Sequence, residues 1–206
     1  KLLLPAIKDK SVIEDIIEKF LKYKKKNFIL TVNYKSKIIK DFFNNIKKNY
    51  RINFYEEKSP LGTVGALAKL KNQILGDFFL INSDTIIDVN LKNLYSFHKK
   101  EKNDITIVAA SKDYNVPYGT CRTDSDGNLK SIVEKPQFNL LVNTGLYLIN
   151  SNVIKFIPEN KKIDMDKLIA LLIRNKKRIK IFSIPDKNWQ DVGKWTEYEK
   201  FREKNL

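Results

Sequence analysis

From Ser11 to Ala109, short apolar runs alternate with segments of helical periodicity, and this alternation constrains the fold more than any other feature. Ser11 opens the first helix with a capping box, because Glu14 stands three residues on and can accept the Ser11 amide. Ile13, Ile16, Ile17, Phe20 and Leu21 then share one face. Phe28–Val32 reads as a buried strand, Ile38, Ile39, Phe42, Phe43 and Ile46 line a second helix, and Ile52–Tyr55 is a short strand. A helix is predicted over Val64–Ile74, a strand over Phe78–Ile81, a helix over Leu91–Lys100 and a strand over Ile105–Ala109. Strands separated by helices imply a mostly parallel sheet with helices on both faces, an α/β fold. Beyond Tyr118 the grammar changes. Asp124-Ser125-Asp126-Gly127 is turn chemistry between two short strands and marks a hairpin. A strand over Leu141–Ile149, a helix over Asp164–Arg174, a strand over Ile179–Ile184 and a helix over Trp195–Glu203 close the chain. The whole reads as one α/β domain carrying a small antiparallel lobe.

Two segments within this frame suggest chemistry. Ser59-Pro60-Leu61-Gly62-Thr63-Val64-Gly65 precedes the third predicted helix, and the strand Phe78–Ile81 leads into Asn82-Ser83-Asp84. Glycines at a strand-to-helix turn let backbone N–H groups approach a ligand, and a helix N-terminus favours negative charge. In an open α/β sheet, ligands sit outside the carboxyl ends of the strands, where Asp84 would stand. The pair suits a nucleotide with a divalent metal. The competing reading makes Asp84 the cap of the following turn.

Composition narrows the function classes. A chain of 206 residues, 42% hydrophobic and 31% charged, fits one soluble globular domain. Its net charge of +15 raises the question of nucleic acid or an anionic membrane. The lysines are scattered over positions 22–26, 47–48, 99–100 and 176–177, without an arginine-rich stripe carrying interleaved aromatics, so a solvated surface is expected and neither nucleic acid nor membrane is a partner. The lone Cys121 excludes an internal disulfide and a cysteine-based zinc cluster, and is compatible with a cytoplasmic location. It reads as a small core residue. No run reaches the ~20 apolar residues of a spanning helix. His98 is expected on a helix surface without a catalytic role, and Trp195 and Tyr198 are expected to pack the last helix onto the sheet.

Leu61-Gly62-Thr63, Glu134-Lys135-Pro136, Val142-Asn143-Thr144-Gly145-Leu146-Tyr147 and Trp189-Gln190-Asp191-Val192-Gly193 follow one another in an order that resembles the sugar-1-phosphate nucleotidylyltransferases. These enzymes join a sugar phosphate to a nucleoside triphosphate. Lys35-Ser36 and Val116-Pro117-Tyr118-Gly119 look most like bacterial sugar-1-phosphate guanylyltransferases of surface-glycan synthesis. The resemblance implies a Rossmann-like fold whose antiparallel lobe binds the sugar. It makes Asp84 and Asp191 the magnesium ligands, and it assigns the nucleotide to Glu57, Leu61, Gly62, Thr63 and Asn82. It assigns the sugar phosphate to Tyr118, Gly119, Glu134, Lys135, Asn143 and Thr144, while Lys1 resembles the lysine that contacts the phosphates. The opening Lys1-Leu2-Leu3-Leu4-Pro5-Ala6 looks like the tail of the family's Pro-Lys-Pro segment, so an N-terminally truncated domain is expected, lacking the first strand and the phosphate loop. Asn82-Ser83-Asp84 departs from the usual Asn-Gly-Asp.

The chemistry of the side chains fits these roles. An ionised glutamate only accepts hydrogen bonds, which matches the two adjacent donors of guanine and favours GTP through Glu57. Glu56 and Glu57 as an exposed acidic pair is the alternative. Glu134 can accept two sugar hydroxyls, Lys135 can hold the phosphate as a point charge, and Asn143 can donate and accept. A homo-oligomer is compatible with the reading. The alternative function is a domain of the same fold that senses a nucleotide sugar without turnover. A glycosyltransferase would need an Asp-x-Asp motif that Asp84-Thr85-Ile86 does not supply.

Overall fold

The computed structural model describes Leu3, Pro5 and residues 10–205. Its helix α1 (Val12–Leu21) starts with the expected capping box. The Ser11 N–H donates to Glu14 Oε2 at 2.8 Å, and the Glu14 N–H donates to Ser11 Oγ at 3.4 Å. Then follow β1 (Asn27–Val32), α2 (Ser36–Asn45) and β2 (Arg51–Glu56), with β1 and β2 parallel. β3 (Asp77–Ile81), β4 (Thr85–Ile87), α3 (Leu91–Lys100) and β5 (Ile105–Asn115) come next. The lobe is β6 (Thr120–Thr123), β7 (Leu129–Val133) and the outer part of β8 (Gln137–Asn150). The chain ends with α4 (Met165–Arg174), β9 (Ile179–Pro185), β10 (Trp189–Asp191) and α5 (Trp195–Asn205).

The largest sheet has the order β3-β8-β5-β9. Only β8 runs against the other three, because it pairs antiparallel with both neighbours while β5 and β9 are parallel. Inside the core β8 is apolar on both faces. Leu146 and Leu148 pack with Val12, Ile16, Phe20, Leu94 and Tyr198 on one side, whereas Tyr147 and Ile149 pack with Leu67, Met165, Leu168 and Leu172 on the other. Side chains alternate along a strand, so such a run requires helices on both faces, as expected. A third cluster holds Ile13 and Ile17 of α1 against Phe43 of α2.

Several expectations are corrected. The predicted helix Val64–Ile74 is a 3₁₀ segment, Gly65–Leu70. Its first residue lies against the chain around Lys161, where a Cβ on Gly65 would come within 2.9 Å of the Lys161 carbonyl oxygen. Trp195 is 60% exposed, and only Tyr198 packs α5 inward. Cys121 is exposed, because the two-stranded β6–β7 hairpin stands off the core. His98 is buried, on the apolar face that Leu91 and Leu94 define.

β1 and β3 each have a ladder partner on one side only among the described residues. Phe20 of α1 spans them, its ring centroid 6.4 Å from Phe28 and 5.4 Å from Phe79.

Candidate functional site

The chain leaves β3 at Ile81, turns through Asn82–Asp84 and enters β4, which pairs antiparallel with β10 so that Thr85 faces Asp191. The Val192 N–H donates to the Asp84 carbonyl at 2.9 Å and closes this corner. Both carboxylates then converge on Gly193. A Cβ built there would lie 2.5 Å from Asp84 Oδ2 and 2.9 Å from Asp191 Oδ1, and the Gly193 N–H already donates to Asp191 Oδ1 at 2.7 Å. The absent side chain leaves a space flanked by two oxygen donors. A magnesium-sized cation with one or two protein carboxylates and further oxygens from phosphate or water has the matching donor set. No group of three or more His, Cys, Asp or Glu residues suited to a metal occurs among the described residues.

The Asn143–Gly145 segment of β8 adjoins this corner. The Asn82 N–H donates to the Gly145 carbonyl at 3.0 Å, and Thr85 Oγ1 donates to the Thr144 carbonyl at 2.9 Å. Gly145 has φ +80°, and a Cβ on it would meet Asn82 Nδ2 at 2.7 Å. Only glycine combines that backbone with that contact. The Asn143 amide donates to Tyr147 Oη at 2.6 Å. Burial is the larger influence on the Tyr147 phenol and pushes its pKa up, against the opposing bond from Asn143. Thr144, expected as a sugar-phosphate contact, has its side chain engaged inside the protein. It is 2% exposed, and its hydroxyl donates to the Val108 carbonyl at 2.8 Å, which locks β8 to β5.

The glycine loop also departs from expectation. The Leu61 N–H donates to Glu57 Oε2 at 2.9 Å, the Thr63 N–H to Asp164 Oδ1 at 2.9 Å and the Val64 N–H to the Ile163 carbonyl at 3.2 Å. These amides are already satisfied within the chain, and the helix that follows is a short 3₁₀ turn. The phosphate cradle anticipated from the loop and a helix N-terminus is therefore absent at Leu61, Thr63 and Val64. Glu57 has one carboxylate oxygen on the loop, which leaves Oε1 outside that bond.

In the lobe, Gly119 and Glu134 are neighbours, and a Cβ on Gly119 would meet Glu134 Oε2 at 2.9 Å. Lys135 has φ +45°, a left-handed backbone that costs a lysine on the order of 1 kcal/mol and redirects the chain from β7 into β8. Tyr118 is 74% exposed. The Tyr118, Glu134 and Lys135 side chains make no hydrogen bond or ion pair among the described residues, and the paired strands β5 and β8 lead from them to the core beside the aspartate corner. Lys1 lies outside the described residues.

Gly193 and Tyr147 stand in the quoted motifs without an assigned role, and Asp164 is not singled out. Gly193 was signalled by its place two residues after Asp191, whereas Asp164 had no local signal. His98 belongs to a separate buried cluster. Its Nδ1 lies 2.8 Å from Thr106 Oγ1, and its Nε2 lies 3.7 Å from Asp77 Oδ1. Burial outweighs the Asp77 charge and lowers the His98 pKa below its ordinary value. Burial opposes ionisation of Asp77, but bonds from Lys99 and Asn150 win and hold its pKa low. No described helix is long and apolar enough to cross a membrane.

The nucleotidyl transferase family model matches residues 1–206. A mannose-1-phosphate guanyltransferase 2 from Candida glabrata is 34% identical over 177 residues, covering 81% of this chain and 48% of that protein. Mannose-1-phosphate guanylyltransferase 1 of Arabidopsis thaliana is 28% identical over 179 residues, covering 82% and 49%. The chain thus spans about half the length of the curated relatives it matches. Among solved structures, HddC from Yersinia pseudotuberculosis complexed with GMP-PN aligns with a TM-score of 0.74 at 25% identity, covering 100% of this chain and 90% of that one. UDP-glucose pyrophosphorylase complexed with UDP-glucose, at 17% identity and a TM-score of 0.71, shares the fold. With its α/β sheet, its aspartate corner and a family match along its whole length, the chain belongs to the nucleotidyl transferase family.

Proposed function

We propose that this chain carries the catalytic centre of a sugar-1-phosphate guanylyltransferase, which joins GTP to a sugar 1-phosphate and releases pyrophosphate. The observation that carries the reading is the convergence of the Asp84 and Asp191 carboxylates on Gly193. The names of the guanyltransferase relatives and the GMP-PN bound to a structural neighbour support a guanine nucleotide. Asp84 and Asp191 would hold magnesium, which when bound supplies charge neutralisation at the phosphates.

A sugar phosphate oxygen attacks the α-phosphorus, a new phosphorus–oxygen bond forms, and the bond to the β-phosphate oxygen breaks. No protein nucleophile is needed, so the residues contribute positioning and electrostatics. Leu61-Gly62-Thr63 and Asn82 flank the nucleotide, and Glu57 turns its remaining oxygen to the donor edge of guanine. Tyr118 and Gly119 pack against the sugar, Glu134 and Asn143 bind its hydroxyls, and Lys135 holds its phosphate. The reaction belongs to the cytoplasm.

Among the described residues, the edges of β1 and β3 that Phe20 spans have no ladder partner, which supports a further strand from outside residues 10–205 lying between them, with the phosphate loop and Lys1 completing the triphosphate contacts. The test is pyrophosphate release from GTP and a panel of sugar 1-phosphates, run on residues 1–206 and on the product of the complete reading frame. Turnover is expected from the complete product, with little or none from residues 1–206. Robust turnover by residues 1–206 removes the need for the extra strand. Absence of GTP-dependent release from both sinks guanylyl transfer in favour of a sensing domain.

A further inference from the structure

Asp164 holds the N-cap position of α4, yet its side chain makes no hydrogen bond to its own helix. It accepts the Thr63 amide at 2.9 Å, 101 residues earlier in the chain, while the Thr63 hydroxyl accepts the Met165 amide at 2.8 Å. Thr63 thus caps α4 in place of Asp164, while Asp164 holds the Thr63 amide. Two backbone bonds frame this arrangement. The Ile163 N–H donates to the Leu61 carbonyl at 2.9 Å, and the Val64 N–H donates to the Ile163 carbonyl at 3.2 Å. Gly62, at φ +79°, makes the approach possible, since a Cβ there would lie 2.5 Å from the Ile163 carbonyl oxygen and 2.7 Å from Asp164 Oδ1.

We propose that Asp164 is a positioning residue for nucleotide binding, its carboxylate clamping the Leu61-Gly62-Thr63 loop in the conformation that receives the nucleotide. The assignment to a nucleotide rests on the guanylyltransferase reading above. A hydrogen bond to an ionised acceptor is roughly twice as strong as a neutral one. The loop ahead of Gly65 has no ladder or helix of its own. Without the clamp it gains conformational freedom, which the ligand must remove again on binding. Nucleotide affinity therefore falls, while the lobe that holds the sugar and the Asp84–Asp191 corner keep their geometry.

The experiment compares Asp164→Ala and Asp164→Asn in the complete protein. Both leave the Thr63 hydroxyl on the Met165 amide, so α4 keeps a cap and the variants are expected to fold. Amide hydrogen exchange at Thr63 should accelerate about tenfold or more in Asp164→Ala, the size expected for losing a hydrogen bond to a charged group. Asp164→Asn retains a neutral oxygen acceptor and should accelerate exchange by a smaller factor than Asp164→Ala. In kinetics, Asp164→Ala should raise KM for GTP about tenfold, with kcat and KM for the sugar 1-phosphate nearly unchanged, and Asp164→Asn should restore it in part. Unchanged Thr63 exchange overturns the clamp. Accelerated exchange with a parallel loss of thermal stability and kcat, and no selective rise in KM for GTP, overturns the positioning role. A wild-type protein that binds no GTP overturns the nucleotide assignment, and the exchange result still decides the clamp.

Discussion

Replacing Gly193 with alanine tests the aspartate corner directly. The backbone of Gly193 is outside the left-handed region, so alanine meets no conformational penalty there, and its effect is steric. The new methyl would stand 2.5 Å from Asp84 Oδ2 and 2.9 Å from Asp191 Oδ1, whereas ordinary contact begins at 3.4 Å. The Asp84 oxygen must therefore retreat by about 1 Å, and the methyl fills the space between the carboxylates. Misplacement of catalytic groups by about 1 Å costs on the order of 100-fold in rate. We expect kcat for pyrophosphate release to fall by about two orders of magnitude, with a raised magnesium requirement and a thermal midpoint close to wild type. The assay is a magnesium titration of pyrophosphate release beside thermal unfolding, with manganese binding followed by electron paramagnetic resonance as an activity-independent readout. Wild-type kcat and manganese affinity in Gly193→Ala would refute the argument that the convergence of the carboxylates matters.

Three further outcomes are expected. Asp191→Asn should lower kcat by ~100-fold or more while leaving GTP affinity nearly unchanged, because the lost charge acts where charge develops in the transition state; near-normal turnover at saturating magnesium would remove Asp191 from the site. Glu57→Gln keeps an acceptor for the Leu61 amide but presents a donor to the base, so competition kinetics should show preference for GTP over UTP or dTTP falling about tenfold; an unchanged ratio means Glu57 only staples the loop. His98 has its pKa lowered from 6.5 by burial, so the unfolded chain takes up its proton more readily than the folded one. Stability is full above pH ~6.5 and declines as the pH falls below it. Urea unfolding between pH 7.5 and 5 should show this slope, and His98→Gln should flatten it; identical slopes would contradict the burial argument.

Much of the fold is legible locally. The capping box of Ser11 and Glu14 acts within one turn and forms as the residues predict. The turn at Asp124–Gly127 does the same, since Asp124 Oδ1 accepts the Asp126 and Asn128 amides and Gly127 takes φ +86°. The apolar run Leu146–Ile149 anticipates burial on both faces, because a strand with no polar side has nowhere to meet water. These features depend on neighbours a few residues apart, so a linear pattern can encode them. The motif order likewise picked out Asp84, Asp191, Gly119, Glu134 and Asn143 as candidates.

Other features depend on partners far apart in the chain. The β4–β10 pairing brings Asp191 beside Thr85, and only then do two acids separated by more than a hundred positions share the space at Gly193. The same distance separates Thr63 from Asp164, and their exchange of hydrogen bonds turns the expected phosphate cradle into a self-satisfied loop. The segment predicted as a helix over Val64–Ile74 is a 3₁₀ turn lying against Lys161, and His98 sits in the interior beside Thr106 and Asp77. The amino-acid sequence by itself determined most of the helices and strands, their layering and the candidates Asp84 and Asp191. The tertiary structure decided which amides remain for a ligand and which carboxylates meet, because steric closeness and hydrogen-bond competition arise only once distant segments have packed.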